Sequence, residues 1–126
     1  PKTYKNFKER IDKIKNNLKN LIKKLKTQNK IIHGYGASTK GNVLLQYFNI
    51  DNKFLDCISD RNPKKDNCYT PGTNIKILTE AKSRSLKPDY YLVLPWHFKK
   101  EILKREKNIR RNGTRFIFPL PKLKII

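Results

Sequence analysis

An α/β domain of three layers, with a mostly parallel sheet entered through one long amphipathic helix, is the fold class this sequence predicts. Three observations lead there. Short apolar segments of strand type alternate with segments of helical period through most of the 126 residues, the pattern of repeated strand–helix units. A glycine-rich break, Gly34-Tyr35-Gly36, separates the first apolar segment from a short helix. Residues 4–25 carry a single apolar stripe at helical spacing. The length suits one domain, residues 1–126, with residues 1–27 as a helix packed on the rest.

In the first helix the apolar positions are Tyr4, Phe7, Ile11, Ile14, Leu18, Leu21, Ile22 and Leu25, mostly three or four residues apart. Such a stripe must cover something, either a sheet edge or a preceding domain. A membrane surface is the weaker option, because the stripe lacks tryptophan and a sheet-forming region follows at once. Residues 30–33 form the first strand. The glycine loop and a helix containing Val43, Leu44, Leu45, Tyr47 and Phe48 come next. Residues 53–59 read as a second strand ending at Asp60, which makes a parallel βαβ unit with a right-handed crossover.

A polar loop spans 61–73, where two prolines, several cations and Tyr69 lie beside the strand ends; loops of this length tend to be functional or disordered. Residues 74–78 are a weak strand and 79–85 a short helix. The continuous apolar run at 90–94 is a buried strand that stops at Pro95-Trp96-His97-Phe98. Residues 99–109 read as a helix closed by Asn112-Gly113, 114–118 as a strand, and 123–126 as a last edge strand after the break at 119–121.

The loop after the first strand carries the chemistry. Gly34 and Gly36 permit positive φ and close approach of a ligand to the backbone. Ser38 or Thr39 caps the helix and leaves other N–H groups to face an anion, and Lys40 adds a charge. The spacing Gly-x-Gly-x-x-x-x-Gly is wider than the dinucleotide fingerprint. A plain strand–helix turn, with glycines serving geometry alone, is the alternative. Asp60, at the end of the second strand, stands where an acidic residue takes ribose hydroxyls; it equally suits a turn begun with Asn62-Pro63.

The net charge of +20 raises nucleic acid as a partner. Lysine outnumbers arginine, however, and the basic residues are spread along the whole chain, whereas a binding stripe is clustered and interleaved with aromatics. Nucleic acid is therefore not the expected partner. Cys57 and Cys68 lack metal spacing and read as one buried and one exposed thiol. No apolar run approaches the roughly 20 residues of a membrane span, and no secretory leader opens the chain, so a cytoplasmic location is expected. The chain starts at Pro1 and contains no methionine, so it is expected to be a piece of a longer polypeptide.

Four segments, GYGASTKGNVLLQYFNI, ISDRNPKKDNCYTPGTNIKIL, PDYYLVLPWHFKKEILKRE and RFIFPLP, occur in that order. Together they resemble the C-terminal domain of the S-adenosylmethionine-dependent C-methyltransferases that act on nucleotide-linked deoxysugars, over residues 7–120. The resemblance implies a Rossmann-like domain that helps to hold a nucleotide-diphosphate sugar, preceded in the full polypeptide by a zinc-binding domain and a domain for S-adenosylmethionine. This chain has no Cys-x-x-Cys spacing, no Tyr-His-Glu-His type motif for the catalytic base and no second glycine-rich loop. No catalytic residue, metal or cofactor is expected in it, and alone it should not methylate anything. S-adenosylmethionine is expected in the covalently linked methyltransferase domain.

On this resemblance Tyr35, Gly36, Ala37, Ser38, Thr39 and Lys40, with Gly34 at the loop entrance, line the diphosphate or sugar. Asp60 and Asn62 meet the nucleoside, with Lys64 a second cation. Trp96 and His97 stack on or hydrogen-bond the ligand. For Trp96 a half-buried core-capping role is as good a reading, and His33 reads as a strand residue. Two other functions fit the same pattern: an NAD(P)-type dinucleotide-binding module, for which no hydride-acceptor site is found, and a basic nucleic-acid-binding domain.

Overall fold

The computed structural model describes residues 2–126, with side chains from Thr3 onward. The first helix, α1 (Lys2–Thr27), is unbroken. Ile14, Leu18, Ile22 and Leu25 lie on one stripe and are buried in the core. Tyr4 and Phe7, on the same stripe, are 70% and 53% exposed. The helix therefore covers this domain from about Ile11 onward, and its first two turns, with Tyr4 and Phe7, stand exposed.

Then come β1 (Ile32–Tyr35), α2 (Thr39–Tyr47), β2 (Cys57–Asp60), β3 (Ile77–Thr79), α3 (Glu80–Ser85), β4 (Tyr90–Val93), α4 (Lys99–Arg105), α5 (Lys107–Arg111), β5 (Arg115–Phe118) and β6 (Lys124–Ile125). They form one sheet in the order β3-β2-β1-β4-β5-β6. The first five strands are parallel and β6 runs antiparallel to β5. Alternation along the strands feeds two cores. Leu92, Leu94 and Ile117 join α1 and Leu45 on one face. Tyr91, Val93, Phe116 and Phe118 meet Ile102 of α4 on the other. Burying one such side chain is worth roughly 1.5–3 kcal/mol. The expected three-layer, mostly parallel α/β domain is present.

Several boundaries differ from expectation, each for a local reason. The second strand is shorter than 53–59, because Asp51 turns its first half: its carboxylate accepts the Lys53 N–H at 2.9 Å, and its carbonyl accepts those of Phe54 and Leu55. The third strand begins at Ile77, since Lys76 pairs with Tyr69 in an isolated bridge. The helix expected over 99–109 breaks at Glu106, whose carboxylate accepts the Arg84 guanidinium at 2.8 Å. The 61–73 loop is knitted to its neighbours: Thr73 Oγ1 donates to Asn42 Oδ1 at 2.6 Å, and the Asn42 and Gln46 side chains donate to the Pro71 carbonyl.

Candidate functional site

The strand order reverses at β1. Chain connections run outward to β2 and β3 on one side, then cross to β4 and continue to β5 on the other. Strand carboxyl ends at such a crossover leave a crevice, because the flanking loops and helices part there. A cleft of about 350 Å³ lies at this place, with Tyr35, Gly36, Asp60, Arg61, Glu80 and Arg105 among its lining residues.

The glycine loop is built more tightly than the sequence suggests. Gly34 is buried in β1, and a Cβ there would fall 2.9 Å from Ile58 Cγ1, so its smallness admits a neighbouring side chain. Gly36 has φ +90, and a Cβ would meet Pro95 at 3.0 Å. Gly41 lets α2 settle against Leu94, with contacts of 3.0 Å to an added Cβ. The Gly36 N–H donates to the Ser59 carbonyl at 2.8 Å, and the Ala37 N–H donates to Asp60 Oδ2 at 2.9 Å. Ser38 is the N-cap of α2 and accepts the Gly41 N–H. The amides of Thr39 and Lys40, in the first turn, have no intrahelical acceptor.

Asp60 fastens this corner. Besides Ala37, its carboxylate accepts the Asn62 N–H at 2.8 Å, and Asn62 Oδ1 accepts the Lys64 N–H at 3.0 Å. Lys65 lies 3.9 Å from Asp60 and donates to the Ala37 carbonyl at 2.9 Å. The turn that Asp60 starts therefore locks the β1 loop to the end of β2.

Behind the corner, Glu80 gathers cations. Its carboxylate accepts Arg105 Nη2 at 2.7 and 2.6 Å and Arg84 Nη2 at 3.2 Å, and Arg61 Nε approaches to 3.6 Å. Arg105 also donates to the Tyr35 hydroxyl oxygen at 3.0 Å. Burial, with Glu106 nearby, pushes the Tyr35 phenol up to about 12. The phenol stays protonated, and since its oxygen already accepts from Arg105, its own O–H is available as a donor.

The predicted residues thus separate. Tyr35, Gly36 and Asp60 line the cleft. Ala37 is buried beside it, and Ser38, Thr39 and Lys40 lie exposed on the first turn of α2, outside the lining. Asn62 and Lys64 are exposed on the turn after β2. Trp96, half-buried, and His97, exposed, line a different groove on the far side of Glu101. Gly34 lies inside the sheet. Arg61, Glu80 and Arg105 were not anticipated. Arg61 follows a strand end directly, and Glu80 follows β3, whose Thr79 is in register with Asp60; both positions are readable once the strands are placed. Arg105 carries no local signal. Cys57 is buried and Cys68 exposed.

Among the described residues there is no group of His, Cys, Asp and Glu that could hold a metal, and no helix long and apolar enough to cross a membrane. Fold and cleft define an α/β domain of the open, crossover-cleft type. The chain belongs to the C-methyltransferase C-terminal domain family, which it matches over residues 1–121. It is 33% identical over 123 residues to the C-methyltransferase NovU of Streptomyces niveus, covering 98% of this chain and 29% of that protein. It thus spans less than a third of the length of that relative.

Proposed function

We propose that this chain is the substrate-holding domain of a sugar C-methyltransferase and binds a nucleotide-diphosphate sugar at the crossover cleft. The observation that carries the reading is the convergence there of Tyr35, Gly36 and Asp60 with Arg61 and Arg105. The cleft offers a phenol donor, cations and carboxylates, a set suited to a polyhydroxylated ring bearing a negative group. Arg61 is 67% exposed at its side chain and meets the diphosphate, with Lys40 as a second charge beyond the rim. Asp60 acts by holding the loop, and it reaches the nucleoside only through its remaining lone pairs.

S-adenosylmethionine, which supplies the electrophilic methyl group, is assigned to a linked methyltransferase domain together with the catalytic base. The glycine loop of this chain spends its Gly36 and Ala37 amides on Ser59 and Asp60, so those two amides do not face a ligand. The contribution of this domain is orientation of the sugar, a large share of the barrier in a two-substrate reaction.

Melting-temperature shifts test the proposal. A nucleoside diphosphate or nucleotide sugar at sub-millimolar to millimolar concentration should raise the melting temperature, and Arg61→Ala or Lys40→Ala should reduce the shift. Absence of a shift with every nucleotide would overturn it. NADH binding followed by fluorescence, without nucleotide-sugar binding, would favour a dinucleotide module instead.

A further inference from the structure

The basic residues look dispersed in the sequence, yet five of them converge on one groove. Arg10 of α1, Lys99 and Lys100 of α4, Lys122, and Lys124 of β6 surround a space of about 510 Å³ beside Trp96. Three chain segments far apart in sequence build it, and it opens next to the carboxyl ends of β4 and β5. The Lys99 ammonium sits 5.6 Å above the Phe118 ring, which orients it as a cation–π contact.

The charge balance separates this groove from the crossover cleft. There, Arg61 and Arg105 face Asp60, Glu80 and Glu101, so carboxylates outnumber cations by one. Here, five cations face the single carboxylate Glu101. None of the five takes part in an ion pair among the described residues, whereas Arg61, Lys65, Lys82, Arg84 and Arg105 all do. Unpaired like charges held close together repel one another, and a compact anion of high charge relieves that repulsion.

We propose that this groove is a binding site for a diphosphate or larger polyphosphate group, distinct from the crossover cleft. A singly charged anion would leave most of the cations uncompensated. An extended nucleic-acid strand calls for a succession of open stacking platforms; of the groove's aromatics, Phe118 is buried beneath Lys99, and Trp96 and His97 stand edge to face, not as parallel faces. The inference does not rest on the nucleotide-sugar reading: the sugar's diphosphate is assigned to Arg61 in the cleft, so the groove's occupant is a free pyrophosphate or longer polyphosphate.

Calorimetric titration with pyrophosphate is the test, against sodium chloride of matched ionic strength. Saturable binding is expected, weakening as salt rises. The double variant Lys99→Ala/Lys100→Ala should lose about tenfold or more in affinity, as expected for removing charge-assisted contacts. Lys122→Ala/Lys124→Ala provides a second, independent removal. Lys53→Ala/Lys76→Ala, exposed lysines near β2 and β3, should bind like the parent, and circular dichroism confirms folding of each. Simultaneous binding of pyrophosphate and a nucleotide sugar is expected; displacement of one by the other would overturn the groove as a separate site. No binding beyond the chloride control, unchanged affinity in both groove variants, or binding of an oligonucleotide alone would overturn the proposal.

Discussion

The Ala37 amide donates its hydrogen to the Asp60 carboxylate across 2.9 Å, joining the loop after the first strand to the end of the second. Ala37 is 9% exposed, so water does not readily replace this acceptor. Asp60→Ala should therefore cost about 1–3 kcal/mol, the range for leaving a buried donor unpaired. Urea denaturation monitored by Trp96 fluorescence measures it, and a cost within error of zero would show that the corner holds without Asp60.

Gly41 matters for packing. An alanine there gains about 1 kcal/mol of helix propensity, but its Cβ meets Leu94 Cβ and Cδ1 at 3.0 Å. Overpacking of this kind typically costs about 1–3 kcal/mol. Net destabilisation is expected for Gly41→Ala in the same denaturation experiment, and a gain in stability would mean that α2 shifts freely.

Glu80 and Arg105 should be strongly coupled. Single alanine variants of either break the contacts at 2.6 and 2.7 Å, and a double-mutant cycle should return about 1 kcal/mol or more of interaction energy. Near-additive effects would reduce the pair to an ordinary surface contact.

His33 sets an acid limit on stability. Its ring is fully buried, with Nδ1 2.7 Å from Ser83 Oγ and Nε2 unpartnered. Burial lowers its pKa from 6.5 to about 4, despite Asp56 nearby. The unfolded chain thus binds this proton more readily than the folded one. The stability from keeping His33 neutral is complete above pH 6.5 and is lost as pH falls towards 4, by about 3 kcal/mol. Unfolding free energy measured across that window should fall less steeply in His33→Gln than in the parent; identical slopes would show that His33 titrates normally.

Local pattern carries far in this chain. The three-and-four spacing of Ile14, Leu18, Ile22 and Leu25, the apolar run at β4 and the alternation of strand and helix determined an α/β domain with a long leading helix. The family was legible too, because its motifs are contiguous. Helix and strand periods are properties of neighbouring residues, and sequence records neighbours directly. Tertiary structure alone decided which amides of the glycine loop face inward, since that depends on Ser59 and Asp60 arriving from another strand. It likewise decided that Arg105 meets Tyr35, 70 residues away, and that Arg10, Lys99 and Lys124 share one groove. Charge acts through space, and folding sets those distances.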